Sequence, residues 1–490
     1  MKAMKKIWAV MLSLVMAMVM VVPAFAAENE YTITAPGNDH TYEVYQIFTG
    51  DYADGVLSNV KWGKNGTGTE GEAVSADVIS ALTAATGSDT EKLEVISQYV
   101  NLESTEFGTV TNGTPLQVPG GYYLIKDVDG ALDDEENESY TLYVVEVVGD
   151  VTISPKAAVP EFNKKVQDIN DTTDTDVSDW QDSADWDIGD KVPFKLTGTV
   201  ASNYDNYKAY QFIFHDTESD GLTFDEESVV VKVDGEVILT GYEIVTEGLE
   251  DGCTFEVRFD DLKDIESVQA GSVITVEYES ELNEGAVIGS TGNPNTAHLE
   301  FSNNPNDEQE GTPSTGETPD DTVIVFTYKT VINKVDGEKQ PLTGAAFKLE
   351  KKQEDGSYKL VKEFTVEDDK TSFEFTGLDD GTYKLTETTT PDGYNTIDPI
   401  EFTITATHET ESDDPSLTEL NGNKVTGEIT FTSNTGDGSL TADVVNQSGA
   451  TLPETGGMGT TIFYLLGGIL VVGAGILLIT RRRMSMMEDK

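Results

Sequence analysis

From Thr460 to Thr480 the chain carries no charged residue, is built largely of Leu, Ile, Val and Gly, and ends on Arg481-Arg482-Arg483. A run of that length reaches across a hydrocarbon core of about 30 Å at helical rise. The arginines hold its far end on the cytoplasmic side. The opposite end is apolar too: Met-Lys-Ala-Met-Lys-Lys leads into an uncharged stretch from Ile7 to Val22 and then Pro23-Ala24-Phe25-Ala26. A basic lead, an apolar stretch and a small-x-small exit predict a secretory signal peptide over residues 1–26, cleaved before Ala27. The body that folds in water must therefore form from what lies between these two stretches.

That body has room for three domains of ordinary size. The chain has 89 acidic residues against 31 basic ones, a formal charge of -58. Such a charge repels nucleic acid and anionic lipid and suits a solvated outer surface. The single cysteine, Cys253, has no partner for an internal disulfide, although an oxidising compartment would permit one. Followed by Thr254-Phe255-Glu256-Val257, it is expected to be a small core residue rather than a reactive thiol. A covalent staple, where there is one, must use another chemistry.

Short alternating runs rich in β-branched and aromatic residues, separated by Gly, Asp and Asn turns, dominate the body. Tyr42 to Phe48, Val192 to Leu196 and Phe402 to Thr405 are examples. Helical periodicity is confined to Ala73–Ala85 and Thr90–Val100. The expectation is a mainly β chain of three tandem Ig-like sandwiches in an elongated array, the first with a small helical insertion. Composition shifts place the domains at 27–158, 159–328 and 329–449. The Pro- and Gly-containing stretch Asn303–Asp321 reads as a linker. Thr322–Val335 is too long for one ordinary strand of about 5–6 residues. Its first half is expected to close the second domain and its second half to open the third.

Ahead of the C-terminal apolar segment, 460–480, and its basic tail, 481–490, stands Leu452-Pro453-Glu454-Thr455-Gly456. The three parts in this order resemble the sortase cell-wall sorting signal of Gram-positive surface proteins. The resemblance implies cleavage between Thr455 and Gly456 after transient membrane anchoring, then attachment to peptidoglycan at the cell surface.

The third domain contains Ile332-Asn333-Lys334-Val335-Asp336, then Gly381-Thr382-Tyr383-Lys384-Leu385-Thr386-Glu387, and finally Ala442-Asp443-Val444-Val445-Asn446. These segments resemble a Cna protein B-type domain, with its first-strand lysine, its YxLxE box and its terminal-strand asparagine. The resemblance implies a spontaneous isopeptide bond between Lys334 and Asn446, assisted by Glu387. Strand parity agrees: Lys334 falls on the side of Tyr328 and Ile332, Glu387 with Tyr383 and Leu385, and Asn446 with Ala442 and Val444. Burial would bring amine and carboxyl to their neutral forms together, so that the amine attacks the Asn446 carbonyl carbon. Protonated Glu387 would polarise the carbonyl oxygen and release ammonia. The bland alternative is a buried Lys–Glu ion pair beside a bystander asparagine.

A similar set lies in the second domain. In Phe162-Asn163-Lys164-Lys165-Val166, parity prefers Lys164 over Lys165 as the buried amine; Asp216 follows Phe212 and Phe214 on one side; Asn295 shares parity with Ala297, Leu299 and Phe301. This set resembles the Cna protein A-type middle domain of backbone pilins, where an aspartate takes the place of the glutamate. The resemblance implies a Lys164–Asn295 bond with Asp216 as its catalytic carboxyl, with Lys165 and a neighbouring Asn as the open alternatives for its two ends. A turn-capping Asp and a strand-ending Asn are the plain reading. The first domain has a box-like Gly121-Tyr122-Tyr123-Leu124-Ile125-Lys126-Asp127, but its opening strand, Glu30 to Thr34, carries no lysine. No internal bond is expected there.

Val151-Thr152-Ile153-Ser154-Pro155-Lys156 ends the first domain. It resembles the pilin motif, with Ser154 where that motif usually has Tyr. The resemblance implies a backbone pilin polymerised head to tail by a class C sortase, which joins Thr455 of one copy to Lys156 of the next. Minor pilins, peptidoglycan and a host surface ligand are the implied partners, and nucleic acid is not among them. A monomeric, wall-attached adhesin is the competing class. A surface hydrolase is disfavoured: the chain has 4 histidines, no metal-ligand spacing and no nucleophile motif. No cofactor or metal is expected. The acidic segment Asp168–Asp190 could bind calcium, but without a loop of EF-hand spacing it reads as a solvated turn.

Overall fold

The computed structural model describes residues 30–449 and the helix Gly459–Ser485, apart from residues 37–39, 54–55, 86–92, 94, 129–137, 141, 148, 154–157, 174–176, 250 and 306–313. Strand follows strand along almost the whole body, as period-two patterning dictates. In Lys191–Thr199 and Val273–Leu282 buried residues alternate with partly exposed ones without interruption. The chain is mainly β.

The first unit combines a sheet of Leu116–Pro119, Glu30–Thr34 and Val151–Thr152 with a second sheet of Val56–Trp62, Thr41–Ala53, Gly121–Asp127 and Leu142–Val147, on which Gly108–Thr111 also pairs. One helix, Ala76–Ala84, lies within the first expected helical stretch. Ser75 caps it by accepting from the Val78 amide, and Leu82 is buried beside Tyr45, Ile47, Phe48 and Leu124. A side-chain oxygen at that place satisfies one of the amides a helix start leaves open. The second expected helical stretch falls partly outside the described residues; Val95–Ser97 is helical.

The second unit packs a sheet of Glu161–Val166, Lys191–Thr199, Val273–Leu282, Leu222–Val233 and Glu236–Val237 against another. That one runs Ser183–Asp185, Asp321–Phe326, Asn293–Ser302, Phe212–Glu218, Phe255–Phe259 and Glu243–Val245. Phe194, Leu196, Phe212, Phe214, Val276 and Leu299 lie in the shared core. The expected linker is partly strand: Thr315–Glu317 pairs with Asn293–Ser302. Its main-chain bonds outweigh the loop composition. Cys253 is half-buried on the lead into Phe255–Phe259, and burial beside Asp251 pushes its thiol up to about 12.

The third unit sets Ser372–Leu378, Tyr328–Asp336, Ser439–Asn446 and Phe431–Asn434 over a sheet of Tyr358–Glu363, Ala346–Lys352, Gly381–Thr389, Ile400–His408 and Leu417–Thr426. The long run Thr322–Val335 divides at Thr327. Asp321–Phe326 belongs to the second unit, and Tyr328–Asp336 opens the third. Phe326, Thr327 and Tyr328 are all buried, because at the crossing point both faces of the strand are covered. The units meet closely there. A Cβ on Gly377, at φ +74°, would lie 2.7 Å from Ile188 side-chain atoms, and one on Gly289 would lie 2.6 Å from the Gly438 nitrogen. Only glycine leaves room for such approaches.

The segment Asp168–Asp190 is not a solvated turn. Asp182 and Asp185 are buried, Ser183–Asp185 pairs in parallel with Ile324–Phe326, and the Asp182 amide donates to the Thr410 carbonyl of the third unit at 2.9 Å. The charges are spent in the joint between units rather than in solvent.

Candidate functional site: two buried lysine clusters

Tyr328–Asp336 and Ser439–Asn446 run parallel, with Lys334 opposite Val444 and Asp336 opposite Asn446. Lys334 thus reaches along its neighbour to the strand's last residue. Its Nζ donates to Asn446 Oδ1 at 2.6 Å and to the Val444 carbonyl at 3.0 Å. Glu387 arrives from the opposing sheet. Its Oε1 and Oε2 accept from Asn446 Nδ2 at 2.8 and 3.1 Å, and Oε1 stands 3.9 Å from Lys334 Nζ. Lys334 and Asn446 are fully buried and Glu387 nearly so. Loss of water disfavours the ammonium, with Glu387 opposing, and brings the Lys334 amine down to about 8. Thr390 Oγ1 and the Ile397 amide both donate to Glu387 Oε2 and hold its orientation.

The second cluster is built differently. Lys164 opposes Leu196 on the neighbouring strand and is fully buried, whereas Lys165 is half-exposed and pairs with Asp182. Lys164 Nζ donates to Asp216 Oδ2 and, at 2.8 Å, to the Tyr278 hydroxyl. That hydroxyl donates to Asp216 Oδ2 at 2.7 Å and accepts from Asn295 Nδ2 at 2.9 Å. Tyr278 therefore stands between the amine and the asparagine. Burial lowers the Lys164 amine while Asp216 opposes it, and burial raises the Asp216 carboxyl while Lys164 opposes it. Both groups move toward neutrality. Among the described residues Asp216 Oδ1 and Asn295 Oδ1 have no hydrogen-bond partner, a costly state for buried oxygens.

Two members of this cluster were missed from sequence. Glu218, two residues beyond Asp216, reaches Asn295 Nδ2 at 3.5 Å, and burial beside Asp216 pushes its carboxyl up to about 7. Its i+2 spacing was the available signal. Tyr278 had only its buried parity with Ile274 and Val276, which any core tyrosine shares. A third buried amine, Lys351, contrasts with both. Burial opposes its charge, yet Asp379, Asp187 and Asp171 around it raise its pKa and keep it an ammonium, which cannot act as a nucleophile.

In the first unit the box-like strand Gly121–Asp127 is wholly buried, and its Asp127 pairs with His40 at 2.9 Å. Lys156 and Leu452–Gly456 lie outside the described residues. Beyond them Gly459–Ser485 is one helix with an apolar span over Ile462–Arg482 at mean hydropathy 2.6.

Comparison with known proteins adds three family matches. Residues 188–305 match the Gram-positive pilin backbone subunit 2, Cna-B-like domain, and 329–415 match the SpaA prealbumin-like fold domain. Residues 444–485 match the LPXTG cell wall anchor motif. The chain thus carries the pilin-backbone domains and the wall anchor of a Gram-positive sortase-assembled major pilin. It is 27% identical over 398 residues to the trypsin-resistant surface T6 protein of Streptococcus pyogenes serotype M6, a match spanning 67% of this chain and 70% of that protein. The solved T6 backbone pilin of that organism covers 86% of this chain and 98% of its own at 20% identity and TM-score 0.51. The full-length major pilin SpaD of Corynebacterium diphtheriae covers 87% of this chain and 99% of its own at 16% identity and TM-score 0.48. The pilin is a structural subunit, not an enzyme, and a cell-wall-anchored surface protein. Its middle match is to a Cna-B-like domain, where the sequence motifs suggested the Cna protein A type.

Proposed function

We propose that this pilin forms the shaft of a pilus by sortase-catalysed transfer of Thr455 onto Lys156 of the next copy, and that two internal Lys–Asn amides stiffen each copy. The contact between Lys334 Nζ and Asn446 Oδ1 at 2.6 Å, inside a fully buried cluster with Glu387, carries the internal part of this reading. Proton transfer from Lys334 to Glu387 gives a neutral amine and a carboxylic acid. The amine attacks Asn446 Cγ; as the tetrahedral carbon collapses, Glu387 gives one proton to Nδ2, which leaves as ammonia, and the attacking nitrogen gives up one proton to the Glu387 carboxylate. Glu387 touches Nδ2 rather than Oδ1, so in this geometry its task is to protonate the leaving nitrogen rather than to polarise the carbonyl. The reaction occurs once per chain and needs no turnover.

In the second unit Asp216 takes the carboxyl role, and Tyr278, hydrogen-bonded to Lys164, Asp216 and Asn295 at once, relays the proton. Its hydroxyl must move aside as the amine advances on Asn295. A class C sortase then links copies in an open, head-to-tail chain, the last copy is anchored to peptidoglycan, and the fibre presents minor pilins for adhesion.

Intact-mass spectrometry of the mature ectodomain tests the internal bonds. Two ammonias below the sequence mass are expected, and a protein at full sequence mass overturns both. A denaturing gel of wall extracts tests the polymer: a high-mass ladder in wild type, lost in Lys156→Ala, is expected. A ladder that survives the substitution excludes Lys156 as the acceptor.

A further inference from the structure

The joint between the second and third units collects more carboxylates than cations. Asp168, Asp171, Asp185 and Asp187 enter from the second unit, Asp379 and Asp380 from the third, and Lys351 is committed to Asp379, Asp187 and Asp171. Beside that ion cluster lie Asp168, Asp185 and His408, with ligand atoms within 4.8 Å of one another.

Two observations point to a missing positive charge here. Asp185 is 2% exposed, and its Oδ2 has no hydrogen bond of good geometry among the described residues, although the Tyr328 hydroxyl lies beside the carboxyl; burial, with Asp168 and Asp380 nearby, raises that carboxyl well above the usual range. His408 Nδ1 lies 2.7 Å from Ser183 Oγ, and that hydroxyl lies 2.6 Å from the Glu409 carbonyl, which can only accept. The single hydroxyl proton goes to the carbonyl, so Nδ1 carries its own hydrogen and the neutral ring's lone pair sits on Nε2. This is how a metal-binding imidazole is commonly oriented. Nε2 faces Asp168 Oδ2 at 3.6 Å. A lone pair and two carboxylates converging in a low-dielectric space repel one another unless a cation stands between them or one of them takes up a proton.

We propose that Asp168, Asp185 and His408 form a zinc-type divalent metal site that ties the second unit to the third. An imidazole with carboxylates suits zinc, whereas calcium takes six to eight oxygens. Because His408 comes from the third unit and both aspartates from the second, bound metal closes a bridge across the joint beside the chain crossing at Thr327. The rival arrangement takes up no ion: a proton is held in the cluster instead, on Asp185 beside the Tyr328 hydroxyl or on the His408 ring.

The test is calorimetric titration of Zn²⁺, and separately Ca²⁺, into chelator-stripped mature ectodomain, with the fluorescence of buried Trp186, the residue after Asp185, as a second readout. One Zn²⁺ per chain, a change in Trp186 emission, and at least tenfold weaker binding in Asp168→Asn and in His408→Gln are expected. Asp168 is only partly buried, so Asp168→Asn keeps the fold and decides if His408→Gln does not. No Zn²⁺ uptake overturns the proposal in favour of a proton held within the cluster. Ca²⁺ binding as tight as Zn²⁺ overturns imidazole ligation. Uptake that survives both substitutions but is lost in Cys253→Ser places the ion at His215, Asp251, Cys253 and Glu256 instead, and overturns it as well.

Discussion

Replacing Glu387 by alanine separates a covalent third unit from one held by packing alone. Lys334 and Asn446 are 112 residues apart. By the chain-entropy argument used for disulfides, a cross-link closing a loop of that length contributes about 5 kcal/mol by restricting the unfolded chain. For a domain of roughly a hundred residues, each kcal/mol moves the midpoint by several degrees, so the third unit should melt on the order of 20 °C lower. Glu387→Ala also strips the buried amine of its carboxylate, which adds to the loss. Asn446→Ala removes the bond but keeps the ion pair, so the difference between the two variants isolates the second effect. The assay pairs intact mass with calorimetry of the ectodomain. Glu387→Ala should carry one ammonia more than wild type after allowance for the substitution, and only the third unit's transition should move. In single-molecule pulling it should extend further, because load entering near Lys334 and leaving near Asn446 no longer crosses an amide. A variant that still lacks both ammonias refutes a catalytic role for Glu387. One that regains an ammonia yet melts and stretches like wild type refutes the mechanical argument.

Asp216→Ala should independently restore the other ammonia, by the same mass measurement, with Glu387 intact. Asn446→Ala should show stability that rises with pH between about 8 and 10.5, because Lys334 then stays unbonded and its folded amine has been brought below its ordinary value of 10.5. The unfolded state binds the extra proton across that window, so raising pH favours the fold; urea titrations at several pH values check it, and a flat profile would contradict the burial effect. Lys351→Met should cost about 3–5 kcal/mol, because it leaves Asp379, Asp187 and Asp171 uncompensated in the joint; loss of co-operative melting between the second and third units is the readout. Peptide mapping of wall-linked protein should find Ala27 first and Thr455 last, and peptides running past Gly456 would refute the cleavage site.

Much of this molecule was written in local patterning. Alternation along Tyr328–Asp336, Gly381–Thr389 and Ser439–Asn446 put Lys334, Glu387 and Asn446 on buried faces, and side-chain period in a strand is a property of the backbone alone. The same rule separated Lys164 from Lys165. The break in Thr322–Val335 was legible because a strand of that length exceeds what one sheet usually holds. Parity assigns a face but no neighbour, however. That Glu387 meets Asn446 Nδ2, and that Tyr278 stands between Lys164 and Asn295, depended on how opposing sheets align, which no single strand encodes. Glu218 entered the second site for the same reason. The joint was the least legible part. Asp168, Asp171, Asp185 and Asp187 come from a segment that looks like a solvated turn, and Lys351 and His408, which they meet, lie roughly two hundred residues further along. They became one cluster only when the two units docked, because buried charge of one sign must find its counter-charge wherever the tertiary structure brings it.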